Sequence, residues 1–202
     1  MHIGVISGSH RKISQSRKVA GYIAERLPKI DADTTTDIID LTGNPLPLYD
    51  EGANDPQSPT GKVWPGFSKR FQAAEAFVVV TPEWHGMVPS GVKNIFLHTG
   101  MKEVGHKPAL IVAVSASRGG SYPVAELRMS SYKNSRILYI PEHILVQYAE
   151  KVLNGPESES PDDAYIRERI DFALRILLSY GQALKDVRAA GVTENSKFRN
   201  GM

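Results

Sequence analysis

Residues 7–17 hold the densest set of groups able to grip an anion. The run Gly8-Ser9-His10-Arg11-Lys12-Ile13-Ser14-Gln15-Ser16 follows a short apolar stretch, residues 2–7, that reads as a strand. It precedes residues 17–27, which read as a helix. A helix start leaves backbone N–H groups free and carries the positive end of the dipole. Ser9, Ser14 and Ser16 add hydroxyls, and Arg11 adds a planar charged fork. Phosphate is the ligand this combination suits. The same loop also fits a βα turn with serine caps that binds nothing. GxxxxGK[ST] is absent, and a lone Gly8 is no dinucleotide fingerprint, so a monophosphate suits the loop better than a pyrophosphate.

The elements that must position this loop follow from periodicity. Residues 35–41 alternate as a second strand. Residues 42–65, with Pro45, Pro47, Pro56, Pro59 and Pro65, read as loop, wet at 50–60. A loop of that length implies function or contact with a partner. Residues 64–75 carry one apolar helical stripe. Residues 76–81 and 108–115 are unbroken apolar runs, the mark of parallel strands covered on both faces. Between them residues 90–98 return to helical spacing and 100–107 turn. Residues 122–135 fit a helix, and 136–140 a fifth strand closed by Pro141. Residues 144–152 fit either a strand extension or a short helix. After an exposed loop at 154–163, Asp162 or Asp163 caps a last helix that runs to about Ala189. A frayed tail follows from Gly191.

Five strands alternating with helices predict a parallel sheet covered on both sides. The polar, glycine-bearing loops at 7–17, 81–90 and 115–122 all follow strands. They therefore meet at one edge, near the switch in strand order, as a single pocket.

Bulk properties narrow the partners. The 202 residues suffice for one α/β core. A formal charge of +2 gives no case for nucleic acid or an acidic membrane surface. No apolar stretch approaches a membrane span, and the start leads straight into a strand without a signal peptide. Cytoplasm is the default expectation. The absence of cysteine excludes disulfides, thiolate catalysis and cysteine-held iron–sulfur clusters. The histidines, His2, His10, His85, His98, His106 and His143, are scattered, so no metal site is expected, and no GxSxG follows a strand.

Taken together, Gly8-Ser9-x-Arg11-x-x-Ser14, Thr81-Pro82-Glu83-Trp84-His85, Pro89-Ser90-Gly91-Val92-Lys93-Asn94 and Gly119-Gly120 resemble the NADPH-dependent FMN reductase family, over about residues 1–185. The resemblance implies a flavodoxin-like three-layer sandwich with a five-stranded parallel sheet. It makes residues 1–190 one FMN-binding domain and 191–202 a C-terminal tail. It also implies FMN, NADPH (with NADH as an alternative) and a small electron acceptor: a quinone, azo dye, metal oxyanion or free flavin. Family members are usually homodimers or homotetramers, and exposed Trp64, Phe67 and Trp84 would suit such a contact.

By the same resemblance Ser9, Arg11, Ser14 and Ser16 match the FMN phosphate loop. Pro82, Glu83, Trp84 and His85 match the turn beside the ring and ribityl chain. Ser115, Ser117, Gly119 and Gly120 match the loop on the ring's other side. No residue is assigned as catalytic, because the cofactor carries the electronic work. Gly119 and Gly120 then let backbone N–H groups approach the ring, or form a plain turn. Glu83 anchors its own turn or caps a helix, Trp84 is a pocket wall or a subunit contact, and His85 touches flavin or merely packs. Arg118 meets the 2′-phosphate of NADPH or faces water.

The family usually has Pro-Glu-Tyr-Asn where this chain has Pro82-Glu83-Trp84-His85, so a phenolic hydroxyl and an amide are lost there. The Pro89-Ser90-Gly91 spacing also departs. Two other readings remain: a flavodoxin-like electron carrier without nicotinamide turnover, and a regulatory protein with an altered pocket. The balanced charge speaks against a carrier, which needs an acidic docking face.

Overall fold

The computed structural model describes residues 1–194, 197, 198 and 200. The expected tail falls partly outside these, at Asn195 and Gly201. The strands are β1 (His2–Ser7), β2 (Thr35–Asp40), β3 (Ala76–Pro82), β4 (Pro108–Val114) and β5 (Leu138–Val146). The helices are α1 (Gln15–Ile30), α2 (Pro59–Ala73), α3 (Ser90–His98), α4 (Met101–Val104), α5 (Ser121–Met129) and α6 (Pro161–Ala189). All five strands are parallel, in the order β2-β1-β3-β4-β5. This is the expected three-layer α/β sandwich, flavodoxin-like in its strand order.

The apolar runs lie where a doubly covered sheet needs them, since every residue of β3 and β4 is buried. On one face Val5, Val78 and Val112 pack against Val19, Ile23 and Leu27 of α1 and Ile170, Leu174 and Leu177 of α6. On the other, Ile6, Val79 and Ile111 meet Phe71 of α2, Val92 and Ile95 of α3, and Val124 and Leu127 of α5.

Several boundaries differ from the sequence reading, each for a local reason. Helix α2 starts at Pro59, not near residue 64: Ser58 caps it, and Pro59 sits where a missing N–H costs nothing. Its second proline, Pro65, stays inside the helix. Helix α5 stops at Met129, because Ser131, Asn134 and Arg136 take left-handed backbone, with φ of 64°, 64° and 56°. Strand β5 runs through Pro141, which an edge strand tolerates, with a register shift opposite Ala109 and Ile111. Residues 144–146 are thus strand, and a 3-10 turn follows at Ala149–Lys151. Residues 101–104 are helical, and Glu51–Asn54 is a second 3-10 turn. Ser160, not Asp162 or Asp163, caps α6; its Oγ accepts the Asp163 N–H. Trp64, Phe67 and Trp84, expected to be exposed, are half-buried, and Trp64 and Phe67 pack against the second core cluster.

The order 2-1-3 puts the switch point between β1 and β3. Gly8 leaves β1 there and donates its N–H to the Val80 carbonyl at 2.8 Å. A Cβ at Gly8 would lie 2.6 Å from that oxygen and 2.5 Å from Val92 Cγ2, so the close approach requires glycine.

Candidate functional site

Residues 8–14 connect β1 to α1 across the switch point. Ser14 is the N-cap: its Oγ accepts the Arg17 N–H at 3.1 Å, and its carbonyl accepts the Lys18 N–H at 3.3 Å. Helix geometry then leaves the N–H groups of Gln15 and Ser16 without an intrahelical acceptor. Ser9 and Ser16 are buried beside them, and Ser9 Oγ accepts the Arg11 N–H. The Arg11 side chain is exposed, with its Cζ 4.8 Å from the centre of the Trp84 ring. His10 meets the same ring edge-on at 4.5 Å. Loop 8–14 and the turn after β3 are thus joined through Trp84.

That turn is a two-residue hairpin. Trp84 N–H bonds the Met87 carbonyl at 3.1 Å, and Met87 N–H bonds the Trp84 carbonyl at 2.9 Å. His85 and Gly86 between them have φ of 51° and 71°, the positive pair of a type I′ turn. Asparagine and glycine favour the first of these positions, and histidine tolerates it better than most residues. This is the physical content of the departure at position 85: the turn survives, and its side chain is exposed.

Glu83 does not reach for solvent. Its carboxylate accepts the N–H of Gly120, the left-handed N-cap of α5 (φ 116°). It therefore caps a helix, though not one from its own turn. A Cβ on Gly119 would lie 2.9 Å and 3.0 Å from the two Glu83 oxygens and 3.0 Å from Ser115 Oγ. Loops 83–87 and 115–120 are held together by this contact. Glu126 of α5 does the same for the end of the first loop, accepting the Val88 N–H at 2.7 Å and pairing with Lys93. Burial acts to raise the Glu126 pKa, but the Lys93 and Val88 hydrogen bonds prevail and hold it below the usual carboxylate range. Asn94, by contrast, ties down residues 46–49 through the Leu46 and Pro47 carbonyls and the Tyr49 N–H.

The loop 115–120 leans on the segment after β5. Ser115 Oγ accepts the Ser117 N–H, and Ser117 carbonyl accepts the Tyr148 N–H at 3.1 Å. The Gln147 amide donates to the Arg118 and Gly119 carbonyls. Arg118 donates from Nε to the Tyr148 hydroxyl at 2.9 Å. Lys18 of α1 closes the circuit, giving its ammonium to the carbonyls of Ala149 and Val152 and to Asn154 Oδ1.

Three buried side-chain polar atoms among the described residues lack a partner: Ser7 Oγ, His10 Nδ1 and Gln15 Oε1. All lie on the β1–α1 connection or at its two ends, Ser7 closing β1 and Gln15 opening α1. An unpaired buried polar group costs about 1–3 kcal/mol, so their clustering beside a free helix N-terminus is what an incomplete ligand site looks like. A phosphate-bearing cofactor fits the donors present. The predicted residues of the three loops do come to one edge of the sheet. The sequence reading missed His10, Gln15, Gln147 and Tyr148. Only Gln15, beside the cap, carried a signal; the others depend on contacts distant in sequence.

The family model described as NADPH-dependent FMN reductase matches residues 1–151. The chain belongs to that family. It is an oxidoreductase, and its cofactors are FMN and NADPH. An NADPH azoreductase of Bacillus sp. (strain OY1-2) is 26% identical over 188 residues, 93% of this chain and 97% of that protein. A quinone reductase of Pseudomonas putida KT2440 is 32% identical over 125 residues, 59% of this chain and 63% of that protein. FerB, a flavoenzyme NAD(P)H:(acceptor) oxidoreductase of Paracoccus denitrificans, superposes with a TM-score of 0.72 at 17% identity. It covers 90% of this chain and 97% of its own, a likeness of fold. The reductase reading fits these findings better than the electron-carrier or regulatory alternatives do. No helix among the described residues is long and apolar enough to cross a membrane.

Proposed function

We propose that the enzyme holds the FMN phosphate at Ser9, Arg11, Ser14 and Ser16, with the ring between residues 82–85 and the Ser115, Ser117, Gly119 and Gly120 loop, and reduces quinones or azo compounds. The observation that carries this reading is the cluster of unpartnered polar atoms at residues 7–15, next to the open N-terminus of α1. The acceptor class rests on the quinone and azo reductases to which the chain is similar.

FMN supplies the hydride chemistry when bound. The chain's own residues position it. Gln15 and Ser16 offer N–H groups to the phosphate, and Arg11 turns from Trp84 to pair with it. Glu83 fixes the spacing of the two loops that flank the ring, through the bond its carboxylate accepts from the Gly120 N–H. In each turnover NADPH gives up a hydride, water supplies a proton, and a quinone leaves as hydroquinone. An azo bond needs two such turnovers to yield two amines.

An oligomer in the cytoplasm, where NADPH is at hand, completes the reading. Lys93 of α3 pairs with Glu126 of α5 on the outer face. Leu97 and Met129, each one turn further along, are 61% and 77% exposed. That apolar face around a paired ion suits a second copy of the chain. The test of function is NADPH consumption by FMN-loaded protein with p-benzoquinone and with methyl red. Acceptor-dependent turnover is expected with at least one; turnover with neither, under conditions where FMN stays bound, contradicts the assignment.

A further inference from the structure

At the N-terminal ends of the strands, opposite the three loops, positive charge gathers without an acid to balance it. His106 leads into β4, and its N–H bonds the carbonyl of Arg136, which leads into β5, at 2.8 Å. Arg188, in the last turn of α6, donates from Nη1 to the His106 carbonyl at 2.8 Å. Both guanidinium groups act on the His106 imidazole, and Arg188 acts on the Lys107 ammonium as well. Exposed Lys102 and Lys133 flank the group in sequence.

The fold bears several costs to keep these groups together. His106 and Arg136, bonded to each other, both take left-handed backbone, with φ of 53° and 56°. Such strain in residues other than glycine concentrates at functional sites. Burial lowers the pKa of Arg188, and burial together with the two arginines lowers that of His106. The carboxylates nearby are engaged elsewhere. Glu75, which acts on Arg188, pairs with Lys185 and accepts the His2 N–H. Glu103, near Lys107, accepts the Ser68 hydroxyl and the Gly100 N–H. Arg136 gives its two terminal nitrogens to Met101 Sδ and the Phe198 carbonyl. Its Nε, the Nε and Nη2 of Arg188 and the His106 ring have no hydrogen-bond partner among the described residues.

We propose that His106, Arg136 and Arg188 form a site for a small free oxyanion of the phosphate type, at the sheet edge away from the flavin loops. Guanidinium groups present planar N–H forks that match phosphate oxygens, which a bare ammonium does not. A divalent oxyanion answers all three cations at once and gives the free arginine nitrogens an acceptor. The chain's formal charge of +2 supplies no wider field for a nucleic acid. An anion held here joins the start of β4, the start of β5 and the end of α6. It binds the folded chain alone, because these three segments meet only in the fold, and so it stabilises the fold.

The test uses FMN-loaded protein, so that the loop before α1 is filled, with inorganic phosphate and with chloride at matched ionic strength. The His106 ring is followed by NMR in the wild type, and His106→Gln assigns its signal. Phosphate should raise the imidazole pKa, because a bound anion favours the charged ring, and chloride should not. Calorimetry then measures phosphate affinity in variants. It should fall about tenfold or more in Arg188→Met and in Arg136→Met. It should hold in Arg175→Met, which removes an exposed arginine of α6 outside the cluster. The NMR titration needs no substitution beyond the assignment, so a variant that folds poorly leaves it intact. The same His106 pKa in both salts, or equal phosphate affinity in the wild type and all three arginine variants, would overturn the proposal.

Discussion

In the proposed site, Arg11 is the residue on which phosphate recognition turns. Its guanidinium lies over Trp84, an attraction of about 0.5–1 kcal/mol at an exposed site. A charge-assisted bond to phosphate is worth roughly 1.5–3 kcal/mol and prevails over that contact. Arg11→Met should weaken FMN binding about tenfold or more in a fluorescence titration while barely changing riboflavin, which has no phosphate. Equal losses for both would place Arg11 away from the phosphate. At position 85 the cost is conformational. Histidine pays for a left-handed φ of 51°, so His85→Gly should raise stability to urea by up to about 1 kcal/mol. His85→Val, β-branched, should lower it by about 1 kcal/mol or more.

Among the elements, the pair of loops clasped by Glu83 carries the most consequence. Gly119→Ala would push a methyl into the Glu83 carboxylate and Ser115 Oγ, detaching the carboxylate from the Gly120 N–H. FMN affinity should fall in that variant, and the flavin spectrum should lose the resolved shoulders of an ordered site. Such pairings explain what the sequence could and could not reveal. Glycine at 8 and 119, serine at 14 and the strand runs at 76–81 and 108–115 are local signals, and their structures follow from chain geometry. The partner of Glu83 is 37 residues away, a contact that exists only once β3 and β4 are side by side. The same holds for the Lys18 clamp on residues 149–154. The left-handed residues that end α5 and the passage of β5 through Pro141 break propensity rules, and packing at the sheet edge decides them. Trp64 and Phe67 read as exposed because amphipathic spacing does not say how deep a stripe is sunk.

At the scale of the whole molecule, one buried charge ties the far end of the sheet together. Lys107 gives its ammonium to the carbonyls of Phe71, Gln72 and Glu103 at 2.9, 3.1 and 2.7 Å, at the C-terminal ends of α2 and α4. Burial, aided by Arg188, lowers its pKa to about 8. The unfolded chain, near 10.5, keeps this proton longer than the fold does. Stability from this group is thus full above about 10.5 and is lost as pH falls through about 8. Urea unfolding of the wild type relative to Lys107→Met should show a difference that moves in the wild type's favour between pH 8 and 10.5. A difference flat with pH would mean the ammonium is not penalised by burial. The proposed assembly uses the outer face of α3 and α5. Leu97→Glu combined with Met129→Glu should turn an oligomer into a monomer by light scattering without loss of fold.

The central claim is that these three loops hold FMN and admit NADPH to it. Anaerobic titration of the FMN-loaded, desalted protein with NADPH tests it most directly, followed at the flavin band at about 450 nm. The account predicts retained flavin that bleaches fully at about one NADPH per FMN, the stoichiometry of a two-electron transfer. Flavin that stays bound and oxidised through excess NADPH and NADH would contradict it.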